Sequence, residues 1–76
     1  MRRLPALKPG EVIQILQRAG FDIDHVHGSH YQMYHPLSRR HVTVPYHGNR
    51  DVPRQVLQYI IKQSGLSRQE FLSLRR

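Results

Sequence analysis

Cysteine is absent from the chain. Neither a disulfide framework nor a thiolate zinc site can supplement the core, which must rest on apolar packing alone. Long hydrophobic runs are missing too. None exceeds three residues, far short of the roughly 20 that cross a bilayer, and Met1-Arg2-Arg3-Leu4-Pro5 leads into no apolar signal stretch. The expected setting is the cytoplasm, with no membrane partner. Negative charge is scarce: five Asp and Glu stand against twelve Lys and Arg, a formal charge of +7.

What is present in quantity is arginine, ten of the twelve cations. Its planar donor fork suits phosphate, so the balance points to a polyanionic partner and to nucleic acid in particular. An acidic protein would satisfy the same charge, and a solvated surface would need no partner. The length, 76 residues, suits one domain that buries roughly 60% of its unfolded surface. A single domain over residues 1–76 is expected, with 1–8 as a loose basic lead-in.

Pro9 can occupy the first turn of a helix, where its missing N–H costs nothing. Val12, Ile15, Leu16 and Ala19 then recur at helical spacing up to a stop at Gly20. From Phe21 the period changes, with Phe21 and Ile23 alternating against Asp22 and Asp24 in a strand to about His27. Gly28-Ser29 breaks it, and a second strand runs from His30 to His35. Pro36-Leu37-Ser38-Arg39 is a hairpin turn, and His41-Val42-Thr43-Val44 is a third strand ending at Pro45. Asp51 can cap a helix with Pro53 just inside and Val56, Leu57, Ile60 and Ile61 on its buried face until Gly65. Ser67-Arg68-Gln69-Glu70 reads as a capping box for a short last helix burying Phe71, with Leu72 and Leu74 further candidates. The expected class is α+β, a three-stranded antiparallel sheet with both main helices on one face and the other face wet.

Successive strand residues point to opposite faces. With Val42 and Val44 under the helices, His41 and Thr43 face solvent. With Tyr31 and Met33 inside, His30, Gln32 and Tyr34 lie outside. This open face offers proton carriers, hydrogen-bonding groups and a stacking ring, a platform suited to RNA. The opposite register would bury the His30 imidazole and expose Met33.

Six histidines invite a metal reading, since His25 and His27 can share a strand face. No thiolate or carboxylate completes that set at an obvious spacing, and Asp22 and Asp24 have the opposite parity. No metal or other cofactor is expected, and His25, His35 and His41 read as exposed strand residues. His30 differs. Gly28 permits close backbone approach, Ser29 adds a hydroxyl, and the imidazole emerges beside the open face. Imidazole titrates near neutrality, which suits it to take a proton from a ribose 2′-OH or give one to a leaving 5′ oxygen. RNA supplies its own nucleophile, so fixed cations near the phosphate complete the requirement. Arg39, Arg40, Arg50 and Arg54 are the candidate phosphate contacts, with Tyr34 for stacking and Gln32 for hydrogen bonding. Val44-Pro45-Tyr46-His47-Gly48-Asn49-Arg50 is a second constellation, in which His47 is either another proton carrier or part of a turn leading into the helix.

The ordered motifs from Lys8 to Phe71 resemble a known family. They are Ala19-Gly20-Phe21, Gly28-Ser29-His30, Val42-Thr43-Val44-Pro45 with His47, Ile60-Ile61-Lys62-Gln63, Gly65-Leu66-Ser67 and Phe71. The chain resembles the HicA toxins of bacterial and archaeal toxin–antitoxin systems. The resemblance implies a fold like the double-stranded RNA-binding domain, helix-strand-strand-strand-helix. It also implies a type II toxin, an endoribonuclease that cleaves mRNA and slows translation until a HicB-type antitoxin binds. The family's essential histidine corresponds to His30, its motif partners to Gly28 and Ser29, and a recurring histidine to His47. Two departures stand out: His27 occupies a position that is often basic, and Gln55-Val56-Leu57 replaces a frequent Gly-Thr-Leu. A non-catalytic RNA-binding module on the same basic face is the alternative reading, and an acidic-protein binder is a third.

Overall fold

In the computed structural model, which describes residues 4–75, α1 (Pro9–Arg18) precedes β1 (Asp22–His27), β2 (His30–Tyr34) and β3 (His41–Pro45), then α2 (Arg54–Ser64) and α3 (Arg68–Ser73). The strands form one antiparallel sheet in the order β1-β2-β3. This is the α+β architecture that the alternating periods imply, in the double-stranded RNA-binding-domain-like order that the family resemblance implies. Among the described residues no helix is long and apolar enough to cross a membrane.

Pro9 opens α1, and the Glu11 carboxylate accepts the Lys8 backbone N–H at 3.0 Å, satisfying a donor that the helix start would leave free. Val12, Ile15 and Leu16 turn inwards and meet Leu57 and Ile60 of α2 over Met33, Val42 and Val44 of the sheet. Each of these aliphatic side chains contributes on the order of 1.5–3 kcal/mol by leaving water. Phe71 of α3 is fully buried in the same core. The expected capping box is present, with Glu70 N–H donating to Ser67 Oγ at 3.0 Å and Ser67 N–H donating to Glu70 Oε1 at 2.8 Å. The Ser67 backbone and hydroxyl bonds hold the Glu70 carboxyl below its ordinary value of 4.5.

Several local expectations are corrected. Residues 1–3 of the lead-in lie outside the described residues, but Leu4 and Leu7 are core residues, and Val52 N–H donates to Leu7 O at 2.8 Å. The segment is therefore packed, because two leucines find the space beside α2. Asp51 does not cap α2. Pro53 holds the cap position, and Asp51 pairs with Lys8 at 2.9 Å instead. The second strand stops at Tyr34, one residue early, and His35 turns into the fold. Its Nε2 lies 3.1 Å from Ala19 O, its Nδ1 accepts the N–H groups of Leu37 and Ser38, and its ring meets Phe21 edge-on at 5.0 Å.

β1 departs furthest from simple alternation. Phe21 is buried just before the strand, yet Ile23 is 41% exposed, because β1 is an edge strand that the helices do not fully cover. A bulge between Ile23 and His25 shifts the register, so Asp22 pairs with Tyr34 while His25 pairs with Gln32 and His27 with His30. Asp22 thus shares the open face with His25 and His27, contrary to the parity read from an unbroken strand.

Candidate functional site

A two-residue turn launches His30. Gly28 has a φ of 59° and Ser29 follows at negative φ, the pattern of a II′ hairpin, and His27 and His30 face each other across it. Glycine serves here through its backbone freedom, since a Cβ at position 28 would meet nothing within 4 Å. The close approach expected at Gly28 is thus not made by any described part of the chain, and the turn stays open to solvent. His30 is the first residue of β2, exposed, and paired on its other side with Pro45.

The turn is fastened to the segment after β3. Tyr46 N–H donates to Ser29 O at 2.6 Å, and the Tyr46 ring packs on Tyr31 at 5.2 Å on the helix side. His47 is carried to the opposite side, where its ring stands edge-on to His30 with centroids 6.5 Å apart. Arg50 N–H closes a tight turn on His47 O at 3.1 Å. Lys8 braces this turn from below, donating to Asn49 O while its ammonium pairs with Asp51. Two exposed imidazoles are therefore held side by side by residues that are distant in sequence. Such a pair can serve one phosphodiester from two positions, one ring taking a proton and the other giving one.

From His30 the open face continues as two cross-strand pairs. Thr43 Oγ1 donates to Gln32 Oε1 at 2.8 Å, which turns the Gln32 amide nitrogen away from the threonine. Tyr34 and His41 then lie ring to ring at 4.8 Å with planes 42° apart. Strand parity had placed all of these residues outside, and Met33, Val42 and Val44 are indeed the buried ones. Parity puts His41 and Thr43 on this face but gives neither a role; the β2–β3 register adds their partners, Tyr34 and Gln32.

The four candidate arginines divide. Arg39, in the β2–β3 turn at a φ of 62°, lies at the Tyr34 end of the face, and Arg50 lies at the His47 end. The other two belong to the helix layer. Arg40 folds over the α2 C-terminus, its guanidinium 3.4 Å from Gln63 O and its Nε 2.5 Å from where a Gly65 Cβ would stand. Arg54 opens α2 beside a cleft of about 130 Å³ lined by Leu4, Pro5, Ala6, Val52 and Leu57. Among the described residues no three His, Cys, Asp or Glu side chains are gathered as a metal site requires.

A family model described as the HicA toxin of bacterial toxin–antitoxin systems matches residues 10–66, which takes in α1 after Pro9, the whole sheet, the His30–His47 pair and α2. Among curated proteins, none matches the chain.

Proposed function

Because the chain belongs to the HicA toxin family of bacterial toxin–antitoxin systems, we propose that it is a metal-independent endoribonuclease that cleaves mRNA and thereby inhibits translation. A toxin of such a system has an antitoxin as its partner, and a HicB-type protein is the one proposed here. The observation that carries the catalytic reading is the juxtaposition of His30 and His47, 6.5 Å between ring centroids, at one end of a polar open face.

In the proposed reaction a single strand of RNA lies over β2 and β3. One imidazole removes the proton of a ribose 2′-OH as that oxygen attacks the neighbouring phosphorus, closing a 2′,3′-cyclic phosphate. The bond to the 5′ oxygen breaks, and the other imidazole protonates the leaving oxygen. His30 is one of the two carriers and His47 the other. Charge builds on the phosphoryl oxygens in the transition state, where Arg50 supplies the nearest fixed cation by position in the chain. Tyr34, with His41 beside it, offers a surface on which a base can stack, and the outward Gln32 amide can donate to a base edge. The antitoxin would restrain the toxin by covering His30.

Incubation of the purified chain with RNA in the presence of a chelator tests the proposal. We expect cleavage with 2′,3′-cyclic phosphate ends, loss of cleavage in His30→Ala, and retained RNA binding in that variant. Full activity of His30→Ala sinks the assignment of His30. Activity that a chelator abolishes and added zinc restores sinks the metal-free mechanism. Salt-sensitive binding, with a log–log slope of about −0.7 per neutralised phosphate but no product at any pH, leaves a binding module instead.

A further inference from the structure

β1 is the sheet's exposed edge: among the described residues it pairs only with β2, and all six of its residues are exposed. Proteins usually blunt such an edge with lysine, proline or a bulge. β1 has a bulge, between Ile23 and His25, but neither Lys nor Pro, and no Lys or Arg occurs anywhere from residue 19 to residue 37. The arginine-rich remainder of the chain repels another copy, but this edge does not. It also suits RNA poorly, since it offers Asp22 and Asp24 and no fixed cation to phosphate.

The sequence of β1 is complementary to its own reverse. Laid antiparallel against a second copy, Asp22-Ile23-Asp24-His25-Val26-His27 sets Asp22 opposite His27, Ile23 opposite Val26, and Asp24 opposite His25. The side-chain directions agree with this register. Asp22 and His27 both face the open side, opposite Tyr34 and His30, while Ile23 and Val26 both face the helix side, opposite Met33 and Tyr31. In an unbroken strand, residues separated by an odd number point to opposite faces. The bulge between Ile23 and His25 is what brings each pair to one side. Ile23 and Val26 are 41% and 50% exposed, an apolar pair that the helices leave uncovered. A foreign strand would need a matching bulge to follow this edge. A second copy of the chain carries one at the corresponding place.

We propose that β1 is a homodimerisation edge. Two copies pair β1 to β1 about a two-fold axis perpendicular to the sheet, joining two three-stranded sheets into one of six strands. Each residue pair then occurs twice, as a two-fold interface requires. Ile23 covers Val26 of the second copy, and Asp22 accepts an imidazole N–H from the second copy's His27, which a histidine provides whether neutral or charged. Asp24 already lies 2.9 Å from Nδ1 of its own chain's His25, so that ring can offer only its Nε2 to the second copy's Asp24. The two open faces become continuous. The proposal is independent of whether the chain cleaves RNA.

Sedimentation equilibrium of the full chain, free of RNA, over a range of concentrations tests it. We expect a monomer–dimer equilibrium. Asp22→His alone places His opposite His, and His27→Asp alone places Asp opposite Asp. Each should weaken the dimer by about 2- to 30-fold, because the altered pair appears twice. The double variant Asp22→His with His27→Asp restores opposite partners and should return the dissociation constant to near that of the parent chain. Val26→Lys, at a site already exposed in the monomer, should abolish the dimer. A chain that stays monomeric at every concentration overturns the proposal. So does a dimer indifferent to Val26→Lys, a double variant no better than the singles, or association that appears only when RNA is added.

Discussion

Removing the two imidazoles singly and together tests whether His30 and His47 act on one phosphodiester. A positioned proton carrier contributes about 10²–10⁴-fold to rate, equivalent to roughly 3–5 kcal/mol of barrier. Were the two rings independent, His30→Ala with His47→Ala would lose the product of the separate losses, roughly 10⁴–10⁸-fold. Their centroids lie 6.5 Å apart, close enough to flank a single phosphate. Groups that serve one transition state act as a unit, so their losses do not multiply. The double variant should fall within about tenfold of the worse single variant. The assay is single-turnover cleavage of an end-labelled RNA with enzyme in excess, which separates chemistry from product release. Both rings are exposed, so stability should change by no more than about 0.5 kcal/mol, which thermal melting of each variant checks. A His47→Ala variant with the full rate, or losses that multiply, refutes the pairing of the two histidines.

Other predictions follow from single contacts. Gly28→Ala should cost about 1 kcal/mol through its positive φ and slow cleavage by moving His30, whereas Gly28→Asn should be better tolerated; melting and rate measurements on the two variants compare them. His35→Phe preserves a ring against Phe21 but leaves the N–H groups of Leu37 and Ser38 and the Ala19 carbonyl without their partner. The Leu37 and Ser38 N–H groups are exposed and can turn to water, so a loss of about 0.5–1.5 kcal/mol is expected, measured by urea unfolding. Ser67→Ala should lower stability by about 1 kcal/mol through the lost cap, or roughly 4–8 °C in melting temperature. Glu70 has a folded-state pKa below its ordinary value of 4.5. Its contribution is therefore complete above that value and lost as pH falls through the lower folded-state value. Glu70→Gln should accordingly remove part of the acid-induced loss of stability, and a variant with an unchanged acid limb contradicts that origin.

Much of this fold is legible because its determinants are local. The α1 and α2 stripes follow from spacing of three and four residues, and β3 from strict alternation around Val42 and Val44. The last helix follows from Ser67 and Glu70, and the break between β1 and β2 from Gly28-Ser29. Each depends on residues close in the chain, so the pattern carries the geometry. The outward position of Gln32, Tyr34 and Thr43 is legible for the same reason, once one face of the sheet is known to be covered.

What only the tertiary structure decided depends on contacts across the chain or on a single irregularity. His47 stands beside His30 because Tyr46 bonds to Ser29, a link that no spacing announces. Arg40 is drawn to the α2 C-terminus and Arg54 sits with the helix layer, although their charge alone had grouped them with Arg39 and Arg50. His35 looked like a strand residue, yet the turn after Tyr34 points its ring at Ala19 and Phe21. In β1 one extra residue reverses the facing of everything beyond it, and alternation cannot register an insertion that leaves composition unchanged. The sequence alone determined that a basic α+β chain exposes His30 at a hairpin turn. Which groups share its surroundings was decided by the folded chain, because proximity between distant residues is a property of packing and not of spacing.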